Sequence, residues 1–310
     1  MVFPAVFCSQ LFSIPLVLSY HTHLPKYVES YVPARLSRLC STMVWWLLYI
    51  VHGGFADMTL VTSEPIQQEF IHHKIPRVTI WQKGIDTQRF HPRYANMDMR
   101  RRMTNGHMDD LCLLYVGRLA SEKRVMDLLE MMHHLPSSVR LCLVGTGPQE
   151  EELHLRWSSM DDALKSRIVF LGELRGDVLS QAYASADLFV FPSDSETLGF
   201  VVLEAMASGL VVIGANAGGI PTLIEHNTTG LLVTPGNTTD YVRHIQQLHR
   251  DEPYRTQLAT QARQATEQWS WDASMAKLWK EQYPQAQDNY YSRRQRRWRF
   301  WLPRWLATTK

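Results

Sequence analysis

Two charged pairs in this sequence have the types and spacing to do chemistry. Arg118 and Lys123 stand in Gly117-Arg118-Leu119-Ala120-Ser121-Glu122-Lys123, directly after the apolar run Leu111-Cys112-Leu113-Leu114-Tyr115-Val116. Two cations just past a strand and a glycine suit an anion, and they act where negative charge grows on a departing group. Glu196 and Glu204 flank Leu198, Gly199 and Phe200 in the stretch from Ser193 to Gly209. With roughly 3.6 residues per helical turn, that spacing brings both carboxylates to one side, where they would hold hydroxyls of two sugar rings. A helix beginning at Gly199 presents unpaired N–H groups and the positive end of its dipole, a seat for phosphate. Gly199 lets a ligand come close to the backbone. Plainer readings stand beside these: surface helices carry pairs of glutamates, and Glu122 beside Lys123 makes an ordinary ion pair at a helix start.

The elements that must position these residues alternate strand and helix. Leu111–Val116 is apolar throughout, as for a parallel strand covered on both faces. A helix follows from Arg124 to Leu135, with Ser121 placed to cap it. Arg140–Val144 is the next strand, then Gly145-Thr146-Gly147-Pro148 and a helix from Gln149 to about Leu164. Strand Arg167–Gly172 and helix Leu179–Ala184 lead to strand Asp187–Pro192, which Pro192 ends for want of an N–H. Gly209 sits where a helix-ending glycine belongs. Strand Leu210–Gly214 and helices 240–250 and 253–269 complete the unit, a doubly wound α/β lobe. Gly145-x-Gly147 is not a full G-x-G-x-x-G, which argues against a dehydrogenase.

The N-terminal part reads as the end of a helix (1–12), a buried strand (14–20), a long aromatic helix (27–51), strands 57–61 and 78–80, and a helix between them. His21 and His23 follow the first strand at its C-terminal edge, where open α/β sheets place ligands. Imidazole there donates to a sugar hydroxyl and handles protons near neutral pH. Ordinary strand-end polar residues, or a metal pair lacking a recognisable third ligand, are the alternatives. No glycine-rich loop precedes Ser19, so this lobe reads as entered midway, and a reduced sheet would expose edges.

Composition sets outer bounds. Hydrophobic content of 45% with 20% charged residues describes a globular protein, and a net charge of +2 offers no general nucleic-acid surface. Cys8, Cys40, Cys112 and Cys142 are far apart and read as free thiols. No apolar run is long enough to span a membrane, and 1–20 lacks the features of a signal peptide.

The stretch from Glu196 to Glu204, with its flanking strand and Glu204-Ala205-Met206-Ala207-Ser208-Gly209, resembles the E-x7-E motif of the retaining family-4 glycosyltransferases. Gly117–Lys123 resembles their G-R-x-x-x-E-K pattern, and Lys83-Gly84-Ile85-Asp86 through Phe90-His91-Pro92 their interlobe signature. Tyr20-His21-Thr22-His23-Leu24-Pro25-Lys26-Tyr27 looks like the plant and algal sulfoquinovosyltransferases. Ala217-Gly218-Gly219-Ile220-Pro221 looks like the family's G-G-x-P-E region, with Thr222 where the glutamate stands.

The resemblance implies the GT-B fold, two Rossmann-like lobes with the first shortened here. It implies a partial first lobe (1–92), a donor-binding lobe (110–268) and a crossover helix (269–284). Between the lobes the polar, Met- and Arg-rich segment 93–109 reads as a solvated linker, and 285–310 as a basic aromatic tail. Arg118, Lys123 and the Leu198–Phe200 backbone would bind the donor diphosphate. Ile168, Val169 and Glu204 would meet the nucleoside, Glu196 and His21 the transferred sugar, and Gly84 would allow close approach between lobes. The implied reaction moves a sugar from a UDP-sugar to a membrane lipid, specifically sulfoquinovose from UDP-sulfoquinovose to diacylglycerol, without metal or other cofactor. A chloroplast membrane is the implied location, although no transit peptide is legible, with a peripheral membrane site facing the cytosol as the alternative. Glucosyl or mannosyl transfer, from UDP-glucose or GDP-mannose, and a catalytically dead donor-binding module are the alternatives. Arginine mixed with tryptophan from Ser292 to Leu306 suits an anionic membrane surface; a disordered basic tail is the plainer reading.

Overall fold

A computed structural model describes residues 2–25, 28, 32–81 and 84–301. The chain forms two compact units: residues 84–271, and residues 1–83 together with 272–310.

In the second unit six parallel strands pair in the order β6-β5-β4-β7-β8-β9. They are β4 (Leu111–Val116), β5 (Val139–Val144), β6 (Ile168–Phe170), β7 (Leu188–Phe191), β8 (Val211–Ala215) and β9 (Leu231–Val233). Every residue of β4, β5, β7 and β8 is buried, the pattern of strands sandwiched between helical layers. The chain builds outward from β4 through β5 to β6, then returns to β4's other side with β7. The order therefore reverses between β4 and β7, and at such a switch point an open sheet leaves a crevice at its C-terminal edge.

The segment 93–109 is not a solvated linker. Asn96 caps helix Met97–Met103 by accepting from the Met99 N–H at 2.9 Å. Met99 and Met103 then lie in the main core. Arg100 pairs with Asp187 at 2.8 Å and donates to the carbonyls of Asp110 and Ser185, tying the helix to β4 and β7. The run Met97-Asp98-Met99-Arg100-Arg101-Arg102-Met103, polar in composition, is a short amphipathic helix, so the boundary falls at Gly84 rather than at 92.

In the first unit β1 (Val17–Tyr20), β2 (Met58–Val61) and β3 (Val78–Ile80) form a parallel sheet in that order. Helices Ala34–Leu48 and Glu64–His72 make the two crossovers. The C-terminal segment belongs here too. Leu278 and Ala286 pack with Met58 and Leu60, and Gln282 donates to the Ile80 carbonyl at 2.9 Å. Helix Tyr283–Trp301 therefore begins as part of this core, not as a free tail. The part of the basic aromatic tail from 302 onward lies outside the described residues.

Candidate functional site

Both charged pairs stand at the sheet's switch point. Gly117 follows β4, and its N–H bonds to the Val144 carbonyl. The Leu119 N–H donates to the Thr146 carbonyl, in the loop after β5, at 3.0 Å. A Cβ on Gly145 would lie 1.9 Å from the Gly117 oxygen, and one on Gly147 2.3 Å from the Leu119 oxygen. These two glycines thus let the β4 and β5 loops cross, which accounts for Gly-x-Gly without any dinucleotide.

The chain next makes a single turn, Ser121–Lys123, and Arg124 adopts a left-handed conformation before helix Val125–Met131. Ser121 does not cap that helix: the turn intervenes, and Arg124, bonded to Asp127 at 2.8 Å, stands at its start. Any anion held here is held by side chains more than by that helix end. Lys123 Nζ donates to Glu196 Oε1, and both side chains are only 16% exposed. This contact joins the loop after β4 to the loop after β7. Ser193 and Ser195 reach the Glu122 carbonyl within 3.5 Å from the same side. Arg118 is exposed at the head of the β4 loop.

Beyond Glu196 the backbone turns at Gly199, whose φ of +89° favours glycine, and helix Phe200–Ala207 begins. Leu198 is buried and Phe200 half-buried, so at this turn their backbone, not their side chains, is what could meet a ligand. The helix closes on Gly209 at φ +82°, with Gly209 bonding back to Met206 and Leu210 to Ala205, the pattern of a Schellman stop. Gly219 N–H donates to the Glu196 carbonyl at 2.8 Å, so the loop after β8 braces the glutamate. Thr222 hydrogen-bonds Gly219 at 2.6 Å instead of offering a carboxylate.

The two glutamates have different neighbours. Glu204 lies on helix Phe200–Ala207, and its Oε2 accepts from the Tyr183 hydroxyl at 2.9 Å. Burial pushes its carboxyl above the usual range, while the Tyr183 hydrogen bond and the Arg89 charge pull it back. Asp86 fixes Arg89 locally by accepting from the Gln88 and Arg89 N–H groups. Neither Tyr183 nor Arg89 was among the expected site residues. Tyr183 is fully buried, and a tyrosine on a helix's apolar face reads as core, which it also is.

Ile168 opens β6 and is in the core, and Val169, half-buried, is the middle residue of this three-residue strand. Arg167 is buried and donates to the carbonyls of Leu135, Pro136 and Val139. Phe170 ends β6 at the sheet's C-terminal edge, and Leu171 and Gly172 follow it. Gly84 is packed against the returning chain, a Cβ there lying 2.5 Å from Trp271 Cα. Its smallness serves the crossing of two passages within the second unit, where Ile85 also bonds Trp269. Of the two histidines, His23 is buried and bonds Glu69 at 2.7 Å. His21 is half-buried at the C-terminal end of β1.

Residues 100–265 match the family described as "Glycosyl transferases group 1", and residues 2–89 that described as "Glycosyltransferase Family 4". Sulfoquinovosyl transferase SQD2 of Arabidopsis thaliana is 40% identical over 92% of this chain and 55% of its own length. A GDP-mannose-dependent alpha-mannosyltransferase of Mycobacterium tuberculosis is 36% identical over 78% of this chain and 60% of its own. The chain thus spans little more than half of these curated relatives. Anabaena HepE, solved in complex with UDP and glucose, superposes with a TM-score of 0.76 at 23% identity, over 89% of this chain and 73% of that one, a likeness of fold.

Proposed function

We infer the chemistry from family, since the chain belongs to the group 1, family 4 glycosyltransferases of GT-B type. We propose that it moves a sugar from a UDP-sugar to a membrane lipid with retention, and that the pair is sulfoquinovose and diacylglycerol. The observation that carries this reading is the meeting of Lys123 and Glu196 across the β4–β7 switch point. A nucleoside diphosphate entering there draws Lys123 away from Glu196 and onto the leaving phosphate. Arg118 adds a second cation, and the N–H groups from Leu198 to Phe200 a third source of positive potential. Glu196, once released, accepts hydroxyls of the transferred sugar. Glu204 accepts from the ribose, His21 contacts the sugar, and the acceptor attacks from the face beside the departing phosphate. The sulfoquinovosyl group rests on the likeness to the Arabidopsis enzyme; diacylglycerol and a plastid membrane rest on the resemblance of Tyr20–Tyr27 to the plant and algal sulfoquinovosyltransferases.

The test is product analysis by mass spectrometry with UDP-sulfoquinovose and diacylglycerol. Lys123→Ala should lower kcat by about 10²–10³-fold, as for loss of one stabilising donor. Since the cations are assigned the task a metal performs elsewhere, turnover should survive EDTA. Turnover of GDP-mannose alone would favour mannosyl transfer, which the mycobacterial relative supports. UDP binding without turnover of any donor would leave a donor-binding module.

A further inference from the structure

Helix Ala34–Leu48 in the first unit buries one face and exposes an unusual other. Leu48 is buried, with Val44 and Trp45 packed beside it against the core around Tyr20 and Phe70. On the outside, Leu36, Leu39, Met43 and Trp46 recur at spacings of three, four and three, and are 54–65% exposed. A solvent face is normally polar, whereas this one is a continuous apolar stripe along three turns. Arg35 and Arg38 are exposed beside it, and the sequence Ala34–Leu48 contains no Asp or Glu. An open cavity of about 570 Å³ adjoins the stripe, lined by Arg38, Trp46, Tyr49 and His73 among others. The other exposed apolar helix, Val2–Phe12, has no charged side chain to say what covers it.

From this combination we propose that the outer face of helix Ala34–Leu48 lies on an anionic lipid bilayer. The four apolar side chains enter the boundary between headgroups and acyl chains, Trp46 at headgroup depth. Arg35 and Arg38 meet lipid phosphates, and the cavity beside Arg38 admits a headgroup. Absence of acid removes the repulsion that an ordinary amphipathic surface helix would suffer. The proposal deepens the lipid-acceptor reading above but rests on its own observation. No helix among the described residues is long and apolar enough to cross a membrane, so the contact is an interfacial one.

The experiment is cosedimentation of the full chain with vesicles of phosphatidylcholine, alone or mixed with phosphatidylglycerol. Binding is expected only to the mixed vesicles and should fall as salt rises. Arg35→Gln with Arg38→Gln should weaken it roughly thirtyfold, and Leu39→Asp with Met43→Asp should abolish it. All four positions are exposed, so unchanged circular dichroism and UDP affinity will certify the fold. UDP affinity also separates this test from that of the donor site. Three results would overturn the proposal: no sedimentation of the unaltered chain, full binding by the Asp variant (which would assign the contact to the basic tail), or light scattering showing a dimer that the Asp variant converts to monomer.

Discussion

Two conflicting demands meet at Glu204. In the proposed role as ribose acceptor it binds best ionised, yet its burial raises its pKa above the ordinary carboxylate range. A carboxyl whose folded pKa is raised favours folding fully below its unfolded pKa, and that contribution is lost as pH rises through the folded value. Near neutral pH the buried charge is therefore a cost. Glu204→Gln should raise Tm by a few degrees at pH 7, with the gain vanishing at pH values below the carboxylate range, as thermal melts across pH would show. The same variant should weaken UDP binding about tenfold to a hundredfold, the worth of a hydrogen bond to a charged group. A calorimetric titration that found UDP affinity unchanged would remove the ribose from Glu204. At this scale the sequence was legible where a residue's place is set locally. Arg118, Lys123, Glu196 and Gly199 sit in short loops whose order after each strand sets their place. Tyr183 bonds Glu204, and Arg89 acts on it by charge, only through the packing of helix Gly176–Ala184 and the turn at Asp86, and no local pattern announces that.

Among the elements, the strands and their order of alternation were legible because parallel strands covered on both faces are apolar throughout. Lengths were less so. The apolar run 167–172 reads as one strand, whereas β6 covers only Ile168 to Phe170, because Arg167 turns its guanidinium to three carbonyls and Gly172 takes a positive φ. The misread linker has the same origin: seven residues with three arginines look solvated until Arg100 is seen spending its guanidinium on Asp187 and three carbonyls. A direct test is Met103→Ala. In a linker the change would be silent; in a core position with no exposure it should destabilise by about 2–5 kcal/mol in urea unfolding. Arg124, held left-handed by its place between turn and helix, shows a similar limit, since nothing in its sequence neighbourhood marks the break.

At the scale of the whole molecule, the chain enters the second unit at Gly84 and leaves it at Trp271, then completes the first unit with its C-terminal helices. That completion is chemically specific. Asp57, whose side chain is 4% exposed, pairs with Arg293 at 2.7 Å, and Asn289 donates to the Asp57 carbonyl at 3.0 Å. Trp81 donates to the Ser274 carbonyl, and Leu278 and Ala286 cover Met58 and Leu60. Stranding a buried charge such as Asp57 costs about 3–5 kcal/mol, before any loss of apolar cover over a sheet of only three strands among the described residues. A chain ended at Trp271 should therefore lose the cooperative unfolding of the first unit while keeping that of the second, whose core from Ile85 to Trp269 needs none of the deleted residues. Urea unfolding followed by amide exchange would show it: protection retained in β4 to β9 and lost in β1 to β3, with UDP affinity unchanged. Protection that persisted in β1 to β3 would mean that the first unit's fold stands without its C-terminal helices, and that Arg293 and Leu278 only decorate it.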